Sequence, residues 1–265
     1  MIKALINGKW KLVPDKHLQI GGVSFAYKSG LYETFRTLDY KPVFLNPHMD
    51  RLYQTAQKTG LKIQFSRSEL LDMVNIVIAE FSEPDQRVRI LAVPDHLILY
   101  TSSLNIDSSI YDGVKVITVY ASRNTPDIKT TNYQVCLSAW EKAQELHCFE
   151  AILTDNKGDV FEGSRSNIFW IKNEKLLTRQ GKILPGITRQ IIISKFSYPV
   201  EFGKLNVTDF KQIDELFITN SGSGVVPVSH VNDSRIGNGS VEKITRKLLN
   251  DYTRWIKKDI ENLHL

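Results

Sequence analysis

Lys129 lies in the polar stretch Pro126-Asp127-Ile128-Lys129-Thr130-Thr131-Asn132-Tyr133, just ahead of a run (134–146) with apolar residues at helical spacing. The helix that follows would fix its position. A lysine amine becomes a nucleophile only where burial or a neighbouring positive charge disfavours its ammonium form, and its usual product with a carbonyl cofactor is an imine. Taken alone, a lysine is a solvated surface charge far more often than a nucleophile. The reading needs companions: an anion site, a partner for a ring nitrogen, and a hydroxyl donor.

Two loops suit a phosphate. Gly186-Ile187-Thr188 stands at a helix start, where backbone N–H groups and the positive end of the macrodipole favour anions, and Thr188 adds a hydroxyl. Ser221-Gly222-Ser223 offers similar donors from a small-residue loop. The plainer alternatives are an ordinary helix cap and a flexible turn. Arg51 on an early helix supplies a countercharge for such an anion, or else a surface ion pair. Glu162 precedes a glycine at a strand end, where its carboxylate would keep a pyridine nitrogen protonated, or would bond to nearby backbone. The Tyr133 hydroxyl reaches a ring oxygen, or its ring packs in the core with the hydroxyl at the rim.

These residues must be carried by regular elements. Segments 2–6 and 9–13 flank Asn7-Gly8 and predict a hairpin with a type I′ turn. The alternation in 30–37 predicts a half-buried strand with Glu33 and Arg36 facing a cavity, and 39–42 turns into another short strand. Asn46-Pro47 reads as an N-cap with proline in the first turn, and Gly60 as the stop, enclosing a helix with Met49, Leu52, Tyr53 and Ala56 on one side. A second helix is predicted over 68–81 with Leu71, Val74, Ile78 and Phe81 buried, followed by strands at 87–94 and 97–102. The polar stretch 105–113 marks a domain boundary between residues 1–110 and 114–265. Beyond it come a strand at 114–120, a hairpin through 150–161, a strand at 168–171, a helix opening at 184–189, a strand at 215–219 and a final amphipathic helix from about Ser240.

The 265 residues suffice for one large or two smaller domains. No apolar run approaches the ~20 residues of a membrane span, and the N-terminal strand-turn-strand pattern differs from a signal peptide, so a cytoplasmic protein is expected. Cys136 and Cys148 have the spacing of neither a zinc site nor a disulfide framework, and no metal is expected. A net charge of +5 without a basic stripe interleaved with aromatics argues against nucleic acid and leaves room for an anionic small molecule.

Lys129 with Asn132-Tyr133, Glu162-Gly163 with Asn167, Leu184-Pro185-Gly186-Ile187-Thr188-Arg189, and the Ser/Gly loop before Val225-Val226-Pro227-Val228 occur in an order and spacing that resemble the class IV aminotransferases. These are the fold-type IV pyridoxal-phosphate enzymes, among them branched-chain and D-amino-acid aminotransferases and aminodeoxychorismate lyase. The likeness extends upstream to Gly30-Leu31-Tyr32-Glu33-Thr34-Phe35-Arg36 and His48-Met49-Asp50-Arg51-Leu52. It implies a small N-terminal α+β domain, a larger C-terminal domain on a barrel-like sheet, pyridoxal 5′-phosphate in the cleft between them, and a homodimer. It also implies that Lys129 forms the Schiff base, Glu162 partners the pyridine nitrogen, Tyr133 reaches the ring oxygen, and Arg51, Ile187, Thr188 and Ser221 hold the phosphate.

The expected activity is amino transfer between an amino acid and a 2-oxo acid. Aminodeoxychorismate lyase, with the same cofactor and lysine, is the alternative, and a non-catalytic member of the fold a third; the arginine-glycine-rich segment such lyases tend to carry is absent after residues 87–94. Tyr27 and Tyr32 match the family's general substrate cavity, and Arg89 or Arg165 could bind a substrate carboxylate or lie at the surface.

Overall fold

Asn7 and Gly8 take the positive φ angles of 48° and 75° that a two-residue hairpin turn demands. They join β1 (Ile2–Ile6) to β2 (Lys9–Val13), as the sequence predicts. The computed structural model, which describes residues 1–263, continues through a single turn α1 (Asp15–Leu18), β3 (Leu31–Leu38), β4 (Lys41–Pro42), α2 (Leu45–Thr59), α3 (Arg67–Glu80), β5 (Gln86–Val93) and β6 (His96–Ser103). The six strands form an antiparallel sheet in the order β2-β1-β6-β5-β3-β4. Strand alternation sorts the side chains onto two faces. Leu31, Phe35, Val88 and Ile90 pack with Met49 and Leu52 of α2 and Val74 and Ile78 of α3. Tyr32, Leu91 and Ile98 pack on the other face with Leu18 and Ile20.

Two helix readings need correction. α2 is capped by Phe44 in the left-handed region (φ 52°), not by Asn46, and the Phe44 N–H donates to the Asp259 carboxylate at 2.6 Å. Its end at Gly60, also left-handed, is as predicted. α3 begins after Ser66, whose side chain and that of Glu69 form a reciprocal capping box. Its buried face is Leu70, Met73, Val74, Val77 and Ile78, so Leu71 and Phe81 lie toward the margin.

The second unit comprises β7 (Val114–Tyr120), α4 (Gln134–Glu145), β8 (Glu150–Thr154), β9 (Asp159–Gly163), β10 (Asn167–Lys172), β11 (Lys175–Thr178), α5 (Ile187–Lys195), β12 (Val200–Phe202), β13 (Leu205–Asn206), β14 (Glu215–Asn220), β15 (Gly224–Val231), β16 (Ser234–Arg235) and most of α6 (Lys243–Glu261). Its ten-stranded mixed sheet runs β12-β11-β10-β14-β15-β7-β8-β9-β13, with β16 on β15. β7 and β8 are parallel across the α4 crossover, while β8, β9 and β10, β14, β15 are antiparallel runs. Val116, Ile152, Ile168, Trp170, Ile218 and Val226 fill its core.

Residues 1–105 form the first unit together with 128–134 and the chain from Ile256, so the lysine segment is not part of the unit whose strands flank it in sequence. The cause is backbone pairing: Tyr32 N–H donates to the Lys129 carbonyl at 3.1 Å and Thr131 N–H to the Gly30 carbonyl at 2.8 Å. The Gly30 N–H in turn donates to Thr131 Oγ1 at 2.8 Å.

Candidate active site

In the first unit, the pairing with residues 30–32 holds the Lys129 backbone against the start of β3. The half-buried Lys129 Nζ lies 4.3 Å from the centroid of the Tyr32 ring. Tyr133 meets the same ring edge-on at 5.9 Å, and the Arg89 guanidinium lies 5.9 Å from it. The electron-rich ring face thus attracts two cations. Tyr27 packs edge-on against Phe25 and His96. Burial raises its phenol above the ordinary range.

Glu33 lies on the helix-covered face of β3 between Leu31 and Phe35, 1 % exposed. Arg51 grips it from α2 with two parallel bonds, Nε to Oε1 and Nη2 to Oε2, both 2.7 Å, and His48 Nδ1 lies 2.7 Å from Oε2. Burial pushes the Glu33 carboxyl up, but Arg51 and His48 outweigh it and hold it at about 2. Burial drives His48 below its ordinary value, and Arg51 and Lys129 act in the same direction against Glu33. The imidazole is therefore neutral and donates its Nδ1 proton to the carboxylate. Arg51 is thus no isolated countercharge: its guanidinium is oriented by a buried acid.

In the second unit, Glu162 is on β9 and 4 % exposed. Its Oε1 accepts from Arg123 Nη1 at 2.6 Å and its Oε2 from the Leu184 N–H at 2.8 Å. The Leu184 carbonyl accepts from Asn167 Nδ2 at 2.8 Å. A Cβ on Gly186 would stand 2.0 Å from Asn167 Oδ1, so any larger residue there would displace the Asn167 side chain. Glu162, Asn167 and the turn leading into α5 are therefore one hydrogen-bonded assembly. α5 starts at Ile187 after Gly186, which offers no side-chain cap. The Thr188 hydroxyl lies 3.4 Å from that of Tyr252. Ser221 sits in the β14–β15 turn, where Asn220 Oδ1 accepts from the Gly222 and Ser223 N–H groups at 2.9 and 2.7 Å.

The turn between β9 and β10 has its own pin. The buried Glu150 carboxylate accepts from the Ser164 and Ser166 hydroxyls at 2.5 and 3.1 Å and from the Arg165 N–H at 3.2 Å. The Arg165 side chain points outward and lies over Trp140, 4.4 Å from the ring centroid.

The first unit thus gathers Lys129, Tyr133, Tyr32, Arg89 and Arg51, and the second Glu162, Ile187, Thr188 and Ser221. Sequence reasoning missed Arg123, Asn167's grip on Leu184, and the pairing of Glu33 with His48 and Arg51. The last was detectable: Glu33 shares strand parity with Leu31 and Phe35, so it would be buried and need a cation, and His48 and Arg51 are spaced to share one helix face. Arg123 left no such signal.

Residues 30–231 match the family described as Amino-transferase class IV. A D-alanine aminotransferase of Listeria monocytogenes is 30 % identical, with 93 % of each chain covered. A Methanocaldococcus jannaschii protein provisionally named a branched-chain-amino-acid aminotransferase is 29 % identical over 96 % of this chain and 98 % of its own. The crystal structure of a Thermotoga maritima protein, provisionally titled in the same way, superposes with a TM-score of 0.82 at 27 % identity, covering 98 % of this chain and 97 % of that one. The ordered motifs, the fold and these likenesses agree: the chain belongs to the class IV aminotransferases and is a pyridoxal-phosphate-dependent enzyme of fold type IV.

Proposed function

We propose that Lys129 is the residue that holds the cofactor aldehyde and moves the substrate proton during amino transfer from an amino acid to a 2-oxo acid. The observation that carries this is the fixed lysine: its backbone is paired to β3 and its Nζ is poised over Tyr32. Bound pyridoxal phosphate supplies an aldehyde that condenses with amines and a pyridine ring that withdraws electrons. The residues present fit that group in their chemistry. α5 opens with backbone donors and no side-chain cap, and the buried Thr219 hydroxyl beside the Ser221 turn has no hydrogen-bond partner among the described residues.

In this reading Ile187, Thr188, Ser221 and Arg51 bind the phosphate, with Glu33 and His48 orienting Arg51. Tyr133 donates its phenolic proton to the ring oxygen, and Glu162 holds a proton at the ring nitrogen. The Lys129 amine would take the α-proton and return it two bonds away, at the former aldehyde carbon of the cofactor. Tyr27 and Tyr32 wall the substrate, and Arg89 receives its carboxylate; Arg165, turned outward over Trp140, is the weaker candidate. The enzyme acts as a homodimer in the cytoplasm. Borohydride reduction of the yellow holoenzyme followed by peptide mass mapping tests the lysine. Label on Lys129 is expected, and label on any other lysine overturns the assignment.

A further inference from the structure

Arg123 belongs to none of the motifs that carry the family likeness, yet its guanidinium is in direct contact with the Glu162 carboxylate. Its Nη1 lies 2.6 Å from Glu162 Oε1 and 2.9 Å from the Pro126 carbonyl. The two side chains are 15 % and 5 % exposed. The guanidinium is thus set between the carboxylate and the backbone that leads into Lys129. Arg189, buried nearby, also feels the Glu162 charge, but it donates to Thr178 Oγ1 and the Arg179 carbonyl.

A carboxylate and a pyridine that share one proton in a poorly hydrated site can hold it on either partner. Without a nearby cation, burial favours the neutral pair, with the proton on the carboxyl oxygen and a neutral ring. A guanidinium in contact with the carboxylate reverses the preference, because it stabilises the ionised oxygen more than it disfavours the more distant ring cation. The Leu184 N–H on the other oxygen acts in the same direction. Resting on the reading of Glu162 as the ring-nitrogen partner, we propose that Arg123 is a positioning residue for the reaction: clamped between Glu162 and Pro126, it keeps Glu162 the weaker base, so that the shared proton resides on the ring nitrogen.

The test uses full-length protein reconstituted with pyridoxal phosphate carrying 15N in the ring, read by nitrogen NMR, with circular dichroism to verify the fold. Wild type is expected at the pyridinium position and Glu162→Gln at the neutral-pyridine position. Arg123→Gln should move toward neutral pyridine, and Arg123→Lys, which keeps the charge, should stay with wild type. If Glu162→Gln loses the pyridinium signal while Arg123→Gln keeps it, Arg123 is an anchor only and the proposal fails while the Glu162 reading stands. A pyridinium signal retained by Glu162→Gln overturns both. Equal loss in Arg123→Lys and Arg123→Gln also overturns the proposal, since geometry and not charge would then matter. Should Arg123→Gln not fold, Arg123→His carries the test, because its cation is titrated away near neutral pH. The ring signal should then change with pH, and a constant one overturns the proposal.

Discussion

Arg51 is engaged by Glu33 through both Nε and Nη2, so replacing it has two separable consequences. Arg51→Ala leaves the Glu33 carboxylate buried without its main partner, which costs about 3–5 kcal/mol of folding stability. In cofactor titrations it should also cost more affinity than Thr188→Ala or Ser221→Ala. A charged hydrogen bond contributes about 1.5–3 kcal/mol against about 0.5–1.5 for a neutral one. Equal cofactor affinity in the three variants, each titrated below its unfolding temperature, would show that the phosphate lies elsewhere.

Glu33 itself links stability to acid. Its carboxyl drops from an ordinary 4.5 to about 2 in the folded chain, with Arg51 and His48 outweighing burial. A depressed folded-state value stabilises above the unfolded value and is lost as pH falls through the folded one. Wild-type stability should therefore decline between about pH 4.5 and 2, and Glu33→Gln, less stable at neutral pH, should lose that part of the slope. Urea midpoints measured across this range check it; parallel curves would refute it.

At the scale of elements, legibility followed the range of the interactions. The Asn7-Gly8 hairpin and the Gly60 stop are local and were readable as they stand. The α2 start was not, because its acceptor, Asp259, is far away in sequence and its N-cap Phe44 is left-handed, which no local rule favours. The pairing of residues 128–131 with 30–32 was invisible for the same reason. Likewise, the motif residues drew attention through a resemblance to a known family, whereas Arg123 and Glu33 gain meaning only through partners that folding brings to them.

The α2 cap yields a prediction at this scale. Asp259 offers a charged acceptor at the positive end of a helix dipole, so Asp259→Ala should lower stability by about 0.5–2 kcal/mol. Asp259→Asn, which keeps an acceptor and loses the charge, should cost about 0.3–1 kcal/mol. Denaturant unfolding of both variants decides it, and an Asp259→Ala protein as stable as wild type would mean that the cap carries no weight.

For the whole molecule, the proposed dimer has a physical motive in the first unit. β2 is the edge of its sheet, exposing Trp10 at 37 % and Leu12 at 68 %, and Val23 in the following loop is 96 % exposed. Apolar side chains exposed on an edge strand offer a surface for association, here interleaved with the exposed charges of Lys9 and Lys11. Phe35 and Leu31, by contrast, are fully used in the core beneath α2 and α3, while Tyr32 is buried on the other face of the sheet with Phe25 and Tyr27 partly buried against that cluster. If each substrate pocket is completed by the partner subunit, activity must follow the dimer population. Light scattering coupled to size exclusion should give twice the 30.3 kDa chain mass at working concentration. On dilution, specific activity should fall in step with the dimer fraction, and a fully active monomer would remove the shared pocket.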